Sequence, residues 1–313
     1  MSIAWLFPGQ GSQSVGMGKE VVAGSKAARA VFQRVDAVLG EPLSALIFDG
    51  PEAELTITSN AQPAIVATSC AILAAIHERV PGLPPPAFAA GHSLGEYSAL
   101  VAAGALTFED AVRVVRARGR AMQEAVPAGS GAMSAIMGIE PDRLGVLCVL
   151  AAQGEVVAPA NLNGPGQIVI AGHAAAVARV GELVSAEGGR AFPLRVSAPF
   201  HCALMAPAAR TVEAELARIA IATPRFPVVA NFDARPNADA GRVKALLVGQ
   251  VDGLVRWEDG MRAMAGAGVT HALEIGPGKV LAGLMKRIAK HVQVLSVGDM
   301  TSLDRVAGFL AGA

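Results

Sequence analysis

The chain has little charge and no excess of either sign. Lys plus Arg and Asp plus Glu number 26 each, for a formal charge of zero, and charged residues make up 17% of the total. No basic stripe of the kind that grips phosphate backbones is visible. A nucleic-acid partner is therefore not expected, although net charge alone does not report how charge is distributed. Cysteine is scarce as well. Cys70, Cys148 and Cys202 lie far apart, form no C-x-x-C pair and show no zinc-ligand spacing, which points to a reducing compartment and no metal site. The opening MSIAWLFPGQ has no basic region ahead of its apolar residues and reaches Pro8-Gly9 too soon for a secretory signal. No apolar run approaches the roughly 18 residues that cross a bilayer. The longest candidate, Ala64 to Ile76, is interrupted by Thr68 and Ser69. These absences give the expectation of a soluble, cytoplasmic protein without membrane association.

What is abundant is core-forming material. Apolar residues reach 52% of 313 positions, enough for one large domain or a domain carrying an insert. Ile3-Ala4-Trp5-Leu6-Phe7 reads as a buried strand that breaks at Pro8-Gly9-Gln10-Gly11-Ser12-Gln13. Helices are expected around 27–39 and over 58–78, the second ending before a proline-rich loop at 81–86. Thr107-Phe108-Glu109-Asp110 resembles a capping box that opens a helix running to about Val126. Strands alternating with helices argue for an α/β layered fold with a mostly parallel sheet. At Ala128-Gly129-Ser130-Gly131, a flexible joint, the texture changes. Strands near 132–137, 156–159, 167–171 and 191–196, with helices near 141–153 and 174–187, give the β-α-β-β-α-β order of a ferredoxin-like unit. The chain thus divides into a large subdomain, 1–127 and 198–313, and a small inserted one, 128–197. A helix from about Cys202 to Ile219 resumes the large subdomain.

Chemistry concentrates at Gly91-His92-Ser93-Leu94-Gly95, the G-x-S-x-G pattern of a nucleophile elbow. In such an elbow a serine sits on a tight strand-to-helix turn with backbone N–H groups nearby to receive an oxyanion. A side chain at either glycine would crowd the turn. Arg118 falls on the apolar stripe of its helix with Ala111, Val115, Met122 and Ala125, whereas Arg113, Arg120 and Glu124 face elsewhere. A guanidinium on an apolar face needs a partner, either a structural ion pair or the carboxylate of a substrate. His201, after a strand and before a helix, is a candidate base for Ser93. Of the other histidines, His77 and His291 read as surface helix residues, and His92, His173 and His271 lie at turns or strand edges. The loop 9–16 fits neither a dinucleotide fingerprint, which needs glycine where Ser14 stands, nor a P-loop, because Met17-Gly18 follow Gly16. A tight turn that can offer N–H groups to an anion remains. Asn161-Leu162-Asn163-Gly164-Pro165-Gly166-Gln167 is a polar turn, and Glu274-Ile275-Gly276-Pro277-Gly278 a strand-to-helix turn.

Seven stretches in order along nearly the whole chain resemble the malonyl-CoA:acyl carrier protein transacylases. They are LFPGQGSQ at 6–13, SNAQPAI at 59–65, GHSLGEYSALVAAGAL at 91–106, RARGRAMQEAVPAGSGAM at 116–133, NLNGPGQIVIAG at 161–172, SAPFHCALM at 197–205 and EIGPGKVL at 274–281. The resemblance implies an α/β-hydrolase-like core with a ferredoxin-like insert and the active site in the cleft between them. It makes Ser93 the nucleophile on the malonyl-CoA thioester, His201 its base, and the backbone N–H groups of Gln10 and Leu94 the oxyanion hole. It assigns the malonyl carboxylate to Arg118 and the orientation of His201 to a backbone carbonyl near Gln250, whose surroundings match the family least well. Gln62, Asn161 and Phe200 are candidate substrate contacts. Leu94 and Phe200 agree with malonyl rather than methylmalonyl selection.

The implied reaction is ping-pong transfer to the phosphopantetheine thiol of acyl carrier protein, for fatty-acid synthesis, by a monomer with no metal and no organic cofactor. A malonyl-loading role for malonate decarboxylase or a polyketide assembly line stays open, because only the carrier differs. A serine thioester hydrolase is the alternative from another class, although no acid is obviously paired with a late histidine.

Overall fold

The computed structural model describes residues 2–194 and 196–312. Ten strands occur among them: β1 Ile3–Phe7, β2 Phe88–Gly91, β3 Gly131–Met137, β4 Val157–Gly164, β5 Gln167–His173, β6 Arg190–Pro193, β7 Val228–Val229, β8 Pro236–Asn237, β9 His271–Ile275 and β10 Gln293–Val297. They form two sheets. The larger has the order β10-β9-β1-β2-β7-β8, parallel throughout except for the antiparallel β7–β8 pair. Strand β1 shows why it sits at the centre. Ile3, Trp5 and Phe7 enter one apolar cluster while Ala4 and Leu6 enter another, so both faces of the strand are covered. In a sheet of this kind the carboxyl ends of the strands present the ligand-binding crevice. The loops after β1, β2 and β7, three adjacent strands, carry Gln10, Ser93 and Asn231 to that edge.

The smaller sheet has the antiparallel order β4-β5-β3-β6 with helices Pro141–Ala152 and Ala174–Ala186 packed on it, the expected β-α-β-β-α-β succession. It is tied to the larger unit through β4. Leu162 N–H donates to Val255 O at 2.9 Å, and Val255 N–H to Ala160 O at 2.9 Å, which carries Asn161 to the cleft.

Local chemistry explains where the elements depart from expectation. Strand β4 runs past Pro159 to Gly164 because bulges at 159/161 and 162/164 absorb the missing donor. The strand expected over 191–196 ends at Pro193, which has no N–H; its expected range includes Arg195, outside the described residues. The helix expected over 202–219 is a short 3₁₀ turn, Ala203–Met205, followed by Ala206–Ala217, with Pro207 in the first helical turn. At Thr107 only half a capping box forms. Its hydroxyl oxygen accepts from Asp110 N–H, but the Asp110 carboxylate takes the Thr107 hydroxyl proton instead of the backbone N–H. His291 lies in an exposed turn, not a helix.

The helix Thr58–Arg79 corrects the expectation about apolar runs. Its 22 residues are long and apolar enough to cross a bilayer, with a mean hydropathy of 1.3 over an 18-residue window. Thr68 does not interrupt it, because its hydroxyl donates to Ala64 O at 2.8 Å within the helix. Yet 83% of that window is buried inside the fold, where the helix packs against Phe108–Glu124 and Lys26–Leu39. Here the apolar surface serves as core.

Candidate active site

Ser93 follows β2 with φ at +51°, a left-handed conformation that disfavours a residue with a Cβ by roughly 1–2 kcal/mol. The glycines around it are required by contact. A Cβ on Gly91 would stand 1.9 Å from the Gly95 carbonyl carbon, and one on Gly95 only 2.3 Å from Phe7 O. The turn is thus folded on itself and pressed against the end of β1. Its hydroxyl lies 2.8 Å from His201 Nε2, while His201 Nδ1 lies 2.8 Å from the backbone oxygen of Gln250. A carbonyl only accepts, so Nδ1 carries the hydrogen and Nε2 offers its lone pair to the serine. Burial, together with the nearby Arg118 guanidinium, pushes the His201 pKa down to about 3. The imidazole is therefore neutral at neutral pH, with the Nε2 lone pair free of a proton beside the serine hydroxyl.

Arg118 reaches the same hydroxyl. Its helix, Phe108–Glu124, approaches Thr58–Arg79 closely because Gly119 has no Cβ; one there would meet Thr58 O at 2.6 Å. Arg118 is 1% exposed. It donates from Nη1 to Gln62 Oε1 at 2.8 Å, and from Nη2 to Ser93 Oγ at 3.1 Å and Gln250 Oε1 at 2.9 Å. Among the described residues its Nε has no hydrogen-bond partner, and the guanidinium carbon sits 6.0 Å from the centre of the Tyr97 ring. None of the ion pairs among the described residues includes it. This buried cation donates its hydrogen bonds to amides and a hydroxyl, and its planar fork has the geometry that pairs with a carboxylate through two parallel bonds.

These groups open into a cleft of about 520 Å³ lined by Gln10, Gln62, Ser93, Arg118, Asn161, Phe200 and His201, with apolar walls from Met122, Met133 and Val169. The Ser93 N–H is already taken by Asn231 Oδ1 at 2.6 Å. Among the described residues, the Gln10 and Leu94 N–H groups donate to no protein acceptor. Leu94 contributes nothing else to the cleft, since its side chain is fully buried in the core.

The family model described as acyl transferase domain matches residues 4–304. The chain belongs to the acyl transferase family. It is 46% identical over 302 residues to the malonyl CoA-acyl carrier protein transacylase of Salmonella typhimurium, covering 96% of this chain and 97% of that protein. Two solved structures are equally near. The acyl carrier protein S-malonyltransferase of Vibrio cholerae superposes with a TM-score of 0.95 at 46% identity, over 98% of this chain and all of the other. A malonyl-transacylase solved in complex with its type II PKS acyl-carrier protein gives a TM-score of 0.94 at 44% identity, over 97% and 98% of the two chains.

In this acyl transferase the structure joins five of the residues singled out from sequence, Ser93, His201, Arg118, Gln250 and Gln62, by direct hydrogen bonds. Gln10, Asn161 and Phe200 line the same cleft and, among the described residues, make no hydrogen bond to those five; Gln10 Nε2 donates to Thr58 Oγ1 at 3.0 Å. The side chain of Gln250 was not anticipated. Its Oε1 accepts from Arg118, while its Nε2 donates to Ser93 O at 3.0 Å and Glu96 Oε2 at 2.7 Å. Also missed were Asn231 and Glu96, and the 2.8 Å contact of His92 Nε2 with Asn163 Oδ1 across the two sheets. The available signals were a carboxylate three residues after the serine in an apolar helix, and an asparagine just past the strand-like Val228-Val229.

Glu96 is 2% exposed, and burial pushes its pKa up to about 7 despite the Asn231 N–H and Gln250 donors. The folded protein therefore holds this proton more tightly than the unfolded chain does. Stability from Glu96 is fully present below its ordinary pKa, near 4.5, and is lost as pH rises through about 7. By pH 8 the loss is on the order of 3 kcal/mol. Glu96→Gln removes the titration, so its Tm is expected to exceed wild type at pH 8 and to match it near pH 5. Parallel thermal melts at the two pH values check this, and equal Tm differences at both would overturn it.

Proposed function

We propose that this acyl transferase moves a malonyl group from malonyl-CoA to the phosphopantetheine thiol of an acyl carrier protein for fatty-acid synthesis. The observation that carries the proposal is the buried Arg118 guanidinium, without a carboxylate partner among the described residues, aimed at the Ser93 hydroxyl that His201 also holds. Arg118 binds the distal carboxylate of the acyl group, in bidentate fashion once it turns from Gln250 and Ser93. The Ser93 oxygen attacks the thioester carbonyl carbon while His201 Nε2 takes its proton. The tetrahedral oxyanion accepts hydrogen bonds from the Gln10 and Leu94 N–H groups. The C–S bond then breaks, His201 returns the proton to the departing CoA sulfur, and a malonyl ester remains on Ser93. The carrier thiol attacks that ester as His201 takes its proton, the bond between Ser93 Oγ and the acyl carbon breaks, and His201 returns the proton to the serine oxygen, so the cycle is ping-pong. Gln250 O fixes the imidazole tautomer in place of a carboxylate. Gln62 holds Arg118, and Asn161 and Phe200 border the acyl group. Residues 128–197 act as the small lobe that closes one side of the cleft, and one copy of the chain suffices.

Intact-protein mass spectrometry after brief exposure to malonyl-CoA tests the proposal. A malonyl adduct is expected on wild type and absent from Ser93→Ala, and it should discharge when holo acyl carrier protein is added. An adduct that decays to free malonate equally fast without carrier would make the protein a hydrolase, and no adduct would refute the nucleophile.

A further inference from the structure

The Ser93 peptide is gripped on both sides by side chains distant in sequence. Its N–H donates to Asn231 Oδ1 at 2.6 Å, and its carbonyl accepts from Gln250 Nε2 at 3.0 Å. Asn231 also spans the turn, because its Nδ2 donates to Gly91 O at 2.8 Å. One amide therefore holds both the entry to the elbow and the nucleophile. The two gripping residues meet on a single atom: Glu96 Oε2 accepts from Asn231 N–H at 2.9 Å and from Gln250 Nε2 at 2.7 Å. Ser93, Asn231, Glu96 and Gln250 thus close a hydrogen-bonded ring, with every member at most 8% exposed. A positive-φ serine persists only where its surroundings over-determine it, and this ring is that surrounding. By occupying the Ser93 N–H, Asn231 also leaves the oxyanion to other donors.

We propose that Asn231 and Glu96 are positioning residues that clamp the nucleophile elbow, setting the direction of Ser93 Oγ without touching substrate. Their role rests on Ser93 being the acylated residue, so wild-type malonylation is measured in the same experiment. Failure there refutes the proposed function; a normal wild type beside unaffected variants refutes only the clamp.

The measurement is single-turnover acylation of Ser93 by malonyl-CoA and by acetyl-CoA, alongside labelling by a fluorophosphonate, which reports serine reactivity with no carboxylate to bind. Asn231→Ala is expected to slow all three by about 100-fold, the scale of a misplaced reacting group. The malonyl-to-acetyl ratio should stay within about threefold of wild type, because Asn231 bonds to Ser93, Gly91 and Glu96 while Arg118 bonds to Gln62, Ser93 and Gln250, and the loss should fall on the acylation rate and not on half-saturation. Asn231→Asp has the same volume and keeps an acceptor for the Ser93 N–H while losing the donor to Gly91 O. A loss of about tenfold is expected from it, and it stands in should Asn231→Ala fail to fold. Glu96→Gln keeps an acceptor for both donors and should stay within about threefold of wild type, whereas Glu96→Ala should fall with Asn231→Ala. Wild-type labelling in whichever Asn231 variant folds would overturn the clamp, as would a loss confined to half-saturation or a Glu96→Gln as slow as Glu96→Ala.

Discussion

Arg118→Ala is expected to leave Ser93 able to take an acetyl group while removing the advantage of malonyl. Truncating one partner of a buried charge pair costs about 2–5 kcal/mol, which corresponds to roughly 30-fold or more in selectivity. Arg118 also donates to Ser93 Oγ, so its loss lowers acylation by both thioesters. The ratio of the two rates isolates the carboxylate contribution. Arg118→Lys should fall between wild type and alanine, because an ammonium cannot hold both carboxylate oxygens in the planar fork that guanidinium provides. Rapid-quench acylation with malonyl-CoA and acetyl-CoA measures both effects, and a ratio unchanged in Arg118→Ala would remove the anion-binding role.

His201→Ala should lower the acylation rate about 10²- to 10⁴-fold, the usual contribution of a positioned proton acceptor. The pH profile carries a second test. A histidine with an ordinary pKa would lose a tenfold factor per unit below about 6.5 as its imidazole is protonated. Here burial and Arg118 hold the pKa down to about 3, so the neutral form persists throughout the mildly acidic range. Acylation of the Glu96→Gln protein, in which the neighbouring titration is removed, should therefore stay level between pH 7 and pH 5. A tenfold-per-unit decline beginning near 6.5 would show that His201 is not held in the environment described.

Much of the site was legible in the chain because its signals are short-range. G-x-S-x-G works through contacts four residues apart, Gly91 against Gly95, so the pattern itself encodes the turn. Arg118 stood out because a 3.6-residue period places it among Val115 and Met122, whatever the helix packs against. Helix limits were less accessible. Tertiary burial, not composition, decides that Thr58–Arg79 is a core helix, and the bulges in β4 depend on its partner β5. Asn231 and Glu96 escaped notice because their importance lies in bonds to each other and to Ser93, and sequence distances of 135 and 138 residues separate Asn231 from those two.

The sequence by itself determined the tight turn at Ser93, the inward arginine and the alternation of strands and helices, since each follows from local spacing and steric need. The resemblance already points to a backbone carbonyl near Gln250 as the partner of His201, and the Gln250 oxygen lies 2.8 Å from Nδ1; only the tertiary structure decided that the Gln250 side chain holds Arg118. It alone closed the ring through Glu96. Hydrogen bonds of this kind require atoms within about 3 Å and near-linear geometry. Which distant residues meet those conditions is fixed by the order of strands in the sheet and the packing of helices upon it, and no local pattern along the chain contains that information.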